Sequence, residues 1–600
     1  MKKLITMALA AMMSVSLWAQ RATDKLDRGL VAIKTNSGVF CSWRILGEEY
    51  YDVKYNIYRD GSKLNDEPLS VSNFTDKSGT AGSTYTVSAV VRGKEQSQSK
   101  SASVWAHNYL EITPDHGSLT STYVPNDACM ADVDGDGELE ILMKFDNLSE
   151  INASYPKNGN NGEYSIAEVF KLDGTKLWWL DFGPNMGDFQ NNEQNIVAYD
   201  WDQDGKAEAI IRAADGTTIH MANGETYVVG DATKNYRGAT GGGANWFMHD
   251  GAEYLVYMNG ATGEPYQVMD YPLKRLENGE TDLNAAWGDG YGHRSTKHFF
   301  GAPYLDGRKA SIFLARGIYT RHKMIAYDVD PATHQLKERW RWNNNTPGSA
   351  WYGQGYHNYS VADVDWDGRD EICFGSMVID DNGHGLSTTG LGHGDAHHVS
   401  DFNPYIHGQE LYACMEDNPG INYRDATTSK IYYRYTAAKD VGRCMAGNFS
   451  NNFPGAMGIP TDIGPISLVT AATVKGITST GVTQNFRIYW DGDLCEETQD
   501  YYNGKNTAVA IYKYGKGEID RLTGSLTNND TKGTPCYQGD IFGDWREEVV
   551  TRTADNKVRI YITTIPTEWR NYTLWHDHQY RNAMVWQMCG YNQPLTLATS

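Results

Sequence analysis

Three stretches of this chain carry carboxylates in one shared register: Asp132-Val-Asp134-Gly-Asp136-Gly-Glu-Leu-Glu140, Asp200-Trp-Asp202-Gln-Asp204-Gly-Lys-Ala-Glu208 and Asp363-Val-Asp365-Trp-Asp367-Gly-Arg-Asp-Glu371. Each has Asp at positions 1, 3 and 5, Gly at 6 and Glu at 9. Charges so crowded repel, and a fold keeps them together only around a compensating cation. A hard divalent ion taking roughly six to eight oxygen ligands meets that need, and calcium fits best. The Gly permits the sharp turn around the ion. An EF-hand closes with Glu at about position 12 and lies between helices. Here the flanks read as strands, Ile-Leu-Met after Glu140 and Ala-Ile-Ile after Glu208. The alternative, acidic surface turns that bind nothing, leaves the common spacing unexplained. Weaker copies follow. Asp540, Asp544 and Glu548 keep positions 1, 5 and 9, with Phe542 in the middle, and Asp401 to Gly408 and Asn448 to Gly455 look like degenerate relatives. A strand-loop-strand unit recurring at long, irregular spacing predicts a β-propeller before a solenoid.

The first twenty residues read as a secretory signal: Lys2 and Lys3, an apolar run from Leu4 to Leu17, then Ala19-Gln20 at a cleavage site. That run is too short to span a bilayer, and no later stretch approaches transmembrane length. The expectation is an exported protein, periplasmic or extracellular, and a monomer. Eight scattered cysteines without a CxxC give zinc no support and read mostly as buried free thiols. A formal charge of -22 argues against nucleic acid as partner. It also makes an acidic substrate awkward unless bound cations offset it locally.

Residues 21–107 read as a small β-sandwich. Val53, Tyr55 and Ile57 alternate before an Arg59-Asp-Gly-Ser62 hairpin turn, and Tyr85, Val87, Ala89 and Val91 alternate again. Residues 108–600 repeat strand, Gly/Asp/Asn turn, strand, with no convincing amphipathic helix. Val169 to Gly174 and Met324 to Val329 look like middle or outer blade strands; Phe247 to Asp270 and Asp380 to Asp401 read as long loops on one face.

Several segments carry chemistry: His357, then His393 and Asp395 in a glycine-rich frame, Glu416, Arg443, and Asn528-Asn-Asp-Thr-Lys532. His, Asp and Glu converging from neighbouring blades could hold a further cation. Taken singly, each His reads equally as a hydrogen-bonded structural residue.

Together with these segments, the chain resembles the rhamnogalacturonan lyases of polysaccharide lyase family 11. The likeness runs through Tyr55-Asn-Ile-Tyr-Arg59, Ala131-Asp-Val-Asp-Gly-Asp136, Leu172-Asp-Gly-Thr175, Ser360-Val-Ala-Asp-Val-Asp365, Gly390-Leu-Gly-His-Gly-Asp395, Phe542-Gly-Asp-Trp-Arg-Glu-Glu548 and Tyr591-Asn-Gln-Pro594. The Gly390 and Phe542 runs are the specific ones. The resemblance implies an all-β chain: an eight-bladed β-propeller behind a fibronectin-type β-sandwich domain, with several calcium ions. It implies cleavage of the rhamnose–galacturonate backbone of pectin by β-elimination. By motif, the active-site calcium falls to His357, His393, Asp395 and Glu416, with Asn592 close by. Lys532 and Arg443 match the catalytic basic pair. Asn152, Glu168, Asn529, Asp530, Thr531 and Tyr591 match substrate contacts. The ions of the Asp132, Asp200, Asp363 and Asp540 loops would be structural. The run from Tyr432 to Asp440 is short where exo-acting relatives carry an extra loop, which implies endo action. The competing readings are a non-catalytic carbohydrate-binding propeller derived from such a lyase, and an adhesion propeller whose acidic loops only stiffen it.

Overall fold

The computed structural model describes residues 21–148, 162–187, 194–236, 247–461, 463–475, 480–529, 533–591 and 593. Its front unit is a β-sandwich. Strands Val31–Thr35, Gly38–Ser42 and Asn73–Asp76 form one layer, and Lys54–Arg59 and Thr84–Val91 belong to the other. Ala102–Trp105 pairs with both layers. The alternating residues point inward as expected: Val53, Tyr55, Ile57, Tyr85 and Val87 are fully buried with Trp43. The Arg59–Ser62 turn is a two-residue hairpin whose Asp60 and Gly61 both take positive φ, 50° and 78°, which matches strand twist.

Eight antiparallel units follow, seven of four strands and the first extended to six by the hairpin Thr218–His220 and Thr226–Val228, so the chain is all-β with an eight-bladed propeller behind a β-sandwich. In chain order the blades occupy residues 123–181, 196–270, 298–343, 360–388, 396–436, 444–473, 486–521 and 537–561. The last blade takes its outer strand from the start: Tyr109–Ile112 pairs with Val558–Tyr561. Glu111 fastens that seam to Lys557 and Arg559, both at 2.8 Å. The ring is therefore closed by strand exchange between its two ends. The segments Phe247 to Asp270 and Asp380 to Asp401, expected as loops, contain the blade strands Glu253–Asn259, Pro265–Asp270, Gly385–Thr388 and Ala396–Ser400. Tertiary pairing overrode their Gly- and Asn-rich borders.

Helix is scarce but placed where it matters. His578–Ala583, capped by Asp577, buries Tyr580 to Ala583. With the turns on either side it packs against the innermost strands of blades 1, 3 and 4. Gln587 exchanges hydrogen bonds with the Gln538 backbone of blade 8, and Gln579 donates to Val399 O of blade 5 at 3.2 Å. This segment fills the channel that the inner strands surround. Among the described residues no helix is long and apolar enough to cross a membrane. All eight cysteines are buried free thiols.

Blade 2 also carries a buried charge cluster. Glu253 accepts from Arg212 at 2.9 Å and Arg316 at 2.7 Å, with Arg275 at 3.1 Å. Burial alone would raise its pKa; the guanidiniums of Arg275, Arg316 and Arg212 overcome that and hold the carboxyl down from 4.5 to about 2. Its stabilisation is thus present above pH 4.5 and lost as pH falls toward 2. Glu253→Gln should cost about 3–5 kcal/mol, since three guanidiniums lose their counter-charge. Thermal melts at pH 7 read that loss, and the gap to wild type should narrow on acidification; equal melting temperatures at pH 7 would refute the assignment.

Candidate active site

Connections from each blade's outer strand to the next blade's inner strand lie on one face of the ring, together with the turns between second and third strands. The inner-to-second turns, which include the acidic loops, lie on the other. His357 precedes the inner strand Ser360–Ala362, His393 and Asp395 precede Ala396–Ser400, and Arg443 precedes Cys444–Gly447. Glu416 follows the second strand Glu410–Met415. Topology alone therefore brings these five residues, from blades 4, 5 and 6, to one face.

They also converge in space. His357, His393 and Asp395 each present a ligand atom within 4.8 Å of the others. His357 Nε2 lies 3.5 Å from Asp395 Oδ1, His393 Nε2 lies 3.5 Å from Glu416 Oε2, and Arg443 Nη1 lies 3.7 Å from Asp395 Oδ2. His393 Nδ1 is 2.6 Å from the carbonyl oxygen of Gly355, which only accepts, so Nδ1 carries the proton. Nε2 is then left with its lone pair, buried and without a hydrogen-bond partner. Burial lowers the His393 pKa to about 4, so the ring is neutral at pH 7. A neutral imidazole whose other nitrogen is tied to a carbonyl is the state a metal requires. Burial, then Asp395, Asp440 and Asp417, push the Glu416 carboxyl up. Two carboxylates and an unpartnered imidazole nitrogen at one point fit a divalent cation.

Glycines make the convergence possible. A Cβ on Gly394 would meet Cys414 O at 2.2 Å, and one on Gly355 would meet His322 Nε2 at 2.0 Å. Tyr591 is delivered by the channel segment: its N donates to His357 O at 3.2 Å, its ring stacks on His357 at 4.4 Å, and its hydroxyl is 3.4 Å from Asp395 Oδ1. Arg443 lies over the Tyr591 ring at 5.2 Å. It donates from Nε to Asn485 Oδ1 at 2.8 Å, and Asn485 donates on to Asp500 at 2.8 Å. Burial raises Asp500 to about 6.

Sequence reading missed Tyr319, Asn485 and Asp500. Tyr319 OH is 3.3 Å from His357 Nε2, its ring is 4.0 Å from His393, and its φ is 66°, a strained value for a bulky residue. Nothing local in Gly317-Ile-Tyr-Thr320 signals that role.

Other expected positions fall differently. Asn152, Asp530, Thr531, Lys532 and Asn592 lie outside the described residues. Asn529, beside that gap, takes φ 56° and donates to Thr534 Oγ1 at 2.8 Å. Glu168, matched by motif to a sugar contact, is 1% exposed, and its Oε1 meets His116 Nδ1 at 3.1 Å and Lys176 Nζ at 3.2 Å. Its place in the middle of the strand Ile166–Phe170 accounts for this.

The acidic loops share one wrap. Position 1 accepts the backbone N–H of position 6, as in Gly205 to Asp200 and Gly368 to Asp363, both at 3.0 Å. Position 9 accepts the N–H of position 2, as in Trp201 to Glu208 at 3.0 Å and Val364 to Glu371 at 2.7 Å. In blade 2, Asp200, Asp202, Asp204 and Glu208 all point ligand oxygens together. Burial, followed by neighbouring carboxylates, raises Asp200 to about 7 and Glu208 to about 9. In blade 4, Asp363, Asp365 and Glu371 converge, with Asp367 accepting from Arg369 N at 2.9 Å. Asp363 Oδ1 and Glu371 Oε1 are buried without a partner. Both sets fit a divalent ion. The loops of blades 8 and 1 hold a side-chain cation as well, and Asp132, Asp134 and Asp136 of blade 1 also converge ligand oxygens. In blade 8, Arg546 donates to both oxygens of Asp544, at 2.9 and 2.8 Å, while Asp540 accepts from Thr573 and Leu574 and Glu548 accepts from Ile541 and Phe542. Asp540 Oδ1 is buried there without a hydrogen-bond partner. In blade 1, Asp132, Asp134, Asp136 and Glu140 enclose the ammonium of Lys171, 2.5 Å from Asp134, 3.0 Å from Asp136 and 3.7 Å from Glu140.

Comparison with known proteins agrees with this architecture. Residues 110–598 match the model for the rhamnogalacturonan lyase family 11 C-terminal domain, and residues 21–105 match the rhamnogalacturonan I lyase beta-sheet domain. The chain is 42% identical over 591 residues to the rhamnogalacturonan endolyase YesW of Bacillus subtilis (strain 168), covering 96% of this chain and 90% of that one. It is 41% identical over 601 residues to the exolyase YesX of the same organism, covering 96% and 94%. The crystal structure of the exotype lyase YesX superposes with a TM-score of 0.87 at 39% identity, covering 96% of each chain. With both domains matched and the relatives aligned almost end to end, this chain belongs to the family 11 rhamnogalacturonan lyases.

Proposed function

We propose that this lyase is an exported, calcium-dependent, endo-acting enzyme that cleaves the rhamnose–galacturonate backbone of rhamnogalacturonan I by β-elimination. The observation that carries the metal centre is the buried, unpartnered Nε2 of neutral His393, facing the carboxylates of Asp395 and Glu416. Without an added cation those carboxylates would repel a uronate.

His357, His393, Asp395 and Glu416 would hold the ion. Bound there, calcium would offset the charge of the galacturonate carboxylate and so render the neighbouring C5–H more acidic. Lys532 is assigned as the base. In its neutral form its Nζ takes the C5 proton, the electron pair forms the C4–C5 double bond, and the bond from C4 to the oxygen shared with rhamnose breaks. The leaving oxygen then acquires a proton. An ordinary lysine pKa of about 10.4 must fall for this, as it does for a lysine brought among other cations. Arg443 holds its own proton too tightly to be the base. Pinned by Asn485, it is assigned to the developing negative charge. Tyr591, stacked on His357, and Asn529 are assigned to the sugar.

Endo action is supported by the connection before Arg443. Only residues 437–443 join the outer strand Ile431–Thr436 to the inner strand Cys444–Gly447, so little chain stands over that side of the site. Export rests on the first twenty residues.

Lys532→Ala should lower the appearance of ultraviolet-absorbing unsaturated ends on rhamnogalacturonan I by about 10²–10⁴. Thorough chelation should abolish that signal and added calcium restore it; activity indifferent to either change removes the residue or the ion from the mechanism. Solution viscosity should fall steeply while few bonds are cut, whereas a proportionate decline would mean attack from chain ends. Intact mass of the exported protein should begin near Arg21; a chain retaining Met1 would refute cleavage.

A further inference from the structure

Consecutive blades deliver their chemistry from one place, the connection just ahead of the inner strand. His357 comes from there in blade 4, His393 and Asp395 in blade 5, and Arg443 in blade 6. In blade 3 that place holds Arg294, at the start of the short turn Arg294–Thr296 before the inner strand His298–Gly301. In ring order, Arg294 and Arg443 therefore flank the His393 centre from opposite sides.

Arg294 is joined to that centre through Tyr319. Its guanidinium lies over the Tyr319 ring, 5.4 Å from the centroid, while the same ring is 4.0 Å from His393 and its hydroxyl is 3.3 Å from His357 Nε2. His293 adds a second ring 6.0 Å from Tyr319, and Tyr291 stacks on His293 at 6.1 Å. All four residues are partly exposed. The neighbouring arginines are committed to carboxylates: Arg212, Arg275 and Arg316 to Glu253, and Arg321 to Glu280. Arg294 is held far more loosely. Of the five N–H donors of a guanidinium, Nη1 supplies one bond, to Trp287 O at a long 3.4 Å. Asp289 stands 3.8 Å from Nε, but its two oxygens already accept the backbone N–H groups of Gly292 and Arg294, at 2.9 and 2.8 Å.

We propose that Arg294 forms a second uronate subsite: its guanidinium takes the carboxylate of the galacturonate one repeat away from the one at the cation, with the rings of Tyr319 and His293 beneath the rhamnose between them. Galacturonate recurs at every second sugar of this backbone, so a chain crossing the centre presents carboxylates at regular intervals. A planar guanidinium grips a carboxylate through two parallel N–H bonds, and aromatic faces suit the apolar side of a deoxy sugar. An enzyme that cuts within a chain must hold sugars on both sides of the broken bond, and blade 3 lies across the cation from Arg443. The inference rests on the reading of the His393 centre as the cation site that holds the reacting galacturonate.

Initial rates on size-fractionated rhamnogalacturonan I oligomers test it. Arg294→Gln should raise KM about tenfold on the polymer and on long oligomers, with kcat within about twofold of wild type. The rise should shrink on the shortest oligomers still cut, which lack a second galacturonate in reach. Added salt should raise the wild-type KM more than that of the variant. Arg294→Lys should recover part of the loss, because an ammonium keeps the charge without the fork. Should the glutamine variant not fold, the lysine variant is read in the same way, by whether its KM rises with oligomer length. A KM unchanged on the polymer overturns the subsite. So does a loss equal at every length, which is what mere support of Tyr319 would give. Wild-type protein that releases no unsaturated ends overturns the reading of the centre, and the subsite with it.

Discussion

Charge repulsion at the acidic turns between the inner and second strands of blades 1, 2, 4, 7 and 8 is the constraint on which much of the ring depends. Carboxylates about 4 Å apart oppose one another by about 4 kcal/mol per pair at an effective dielectric near 20, so none of these turns can stand uncompensated. The blades meet the constraint in different ways. Blade 1 encloses Lys171, blade 7 Lys513, and blade 8 clamps Asp544 with Arg546. Blades 2 and 4 keep converging oxygens that nothing in the chain neutralises to the same degree.

The active face has a separate dependence. Its residues come from consecutive blades, so their mutual placement relies on ring closure by Tyr109–Ile112 and on the segment that fills the channel. That segment ends by bringing Tyr591 against His357 and beneath Arg443. The link is physical: the same backbone that packs the channel donates from Tyr591 N to His357 O. The strained Tyr319 and the Gly394 and Gly355 contacts show how tightly the two imidazoles are framed.

Much of this was legible. The acidic register, the alternating strands and the Arg59–Ser62 turn depend on interactions within a few residues, and they appear as read. The spacing of Asp132 to Glu140 marks an acidic turn, but not the Lys171 ammonium beside it, which arrives from a strand that local spacing cannot see. The burial of Glu168 beside His116 and Lys176 is likewise invisible to local spacing. Tyr319 and the Asn485–Asp500 pair carry no local signature and emerge only where blades meet.

The amino-acid order by itself determined the repeat, its β character and which side chains bear chemistry, since turn geometry and side-chain type are local properties. Only the tertiary structure decided which acidic loops also receive a side-chain cation, which histidine nitrogen is left bare, and which tyrosines reach the centre. Those outcomes turn on cross-strand partners and burial, and pairing across a sheet joins residues tens to hundreds of positions apart.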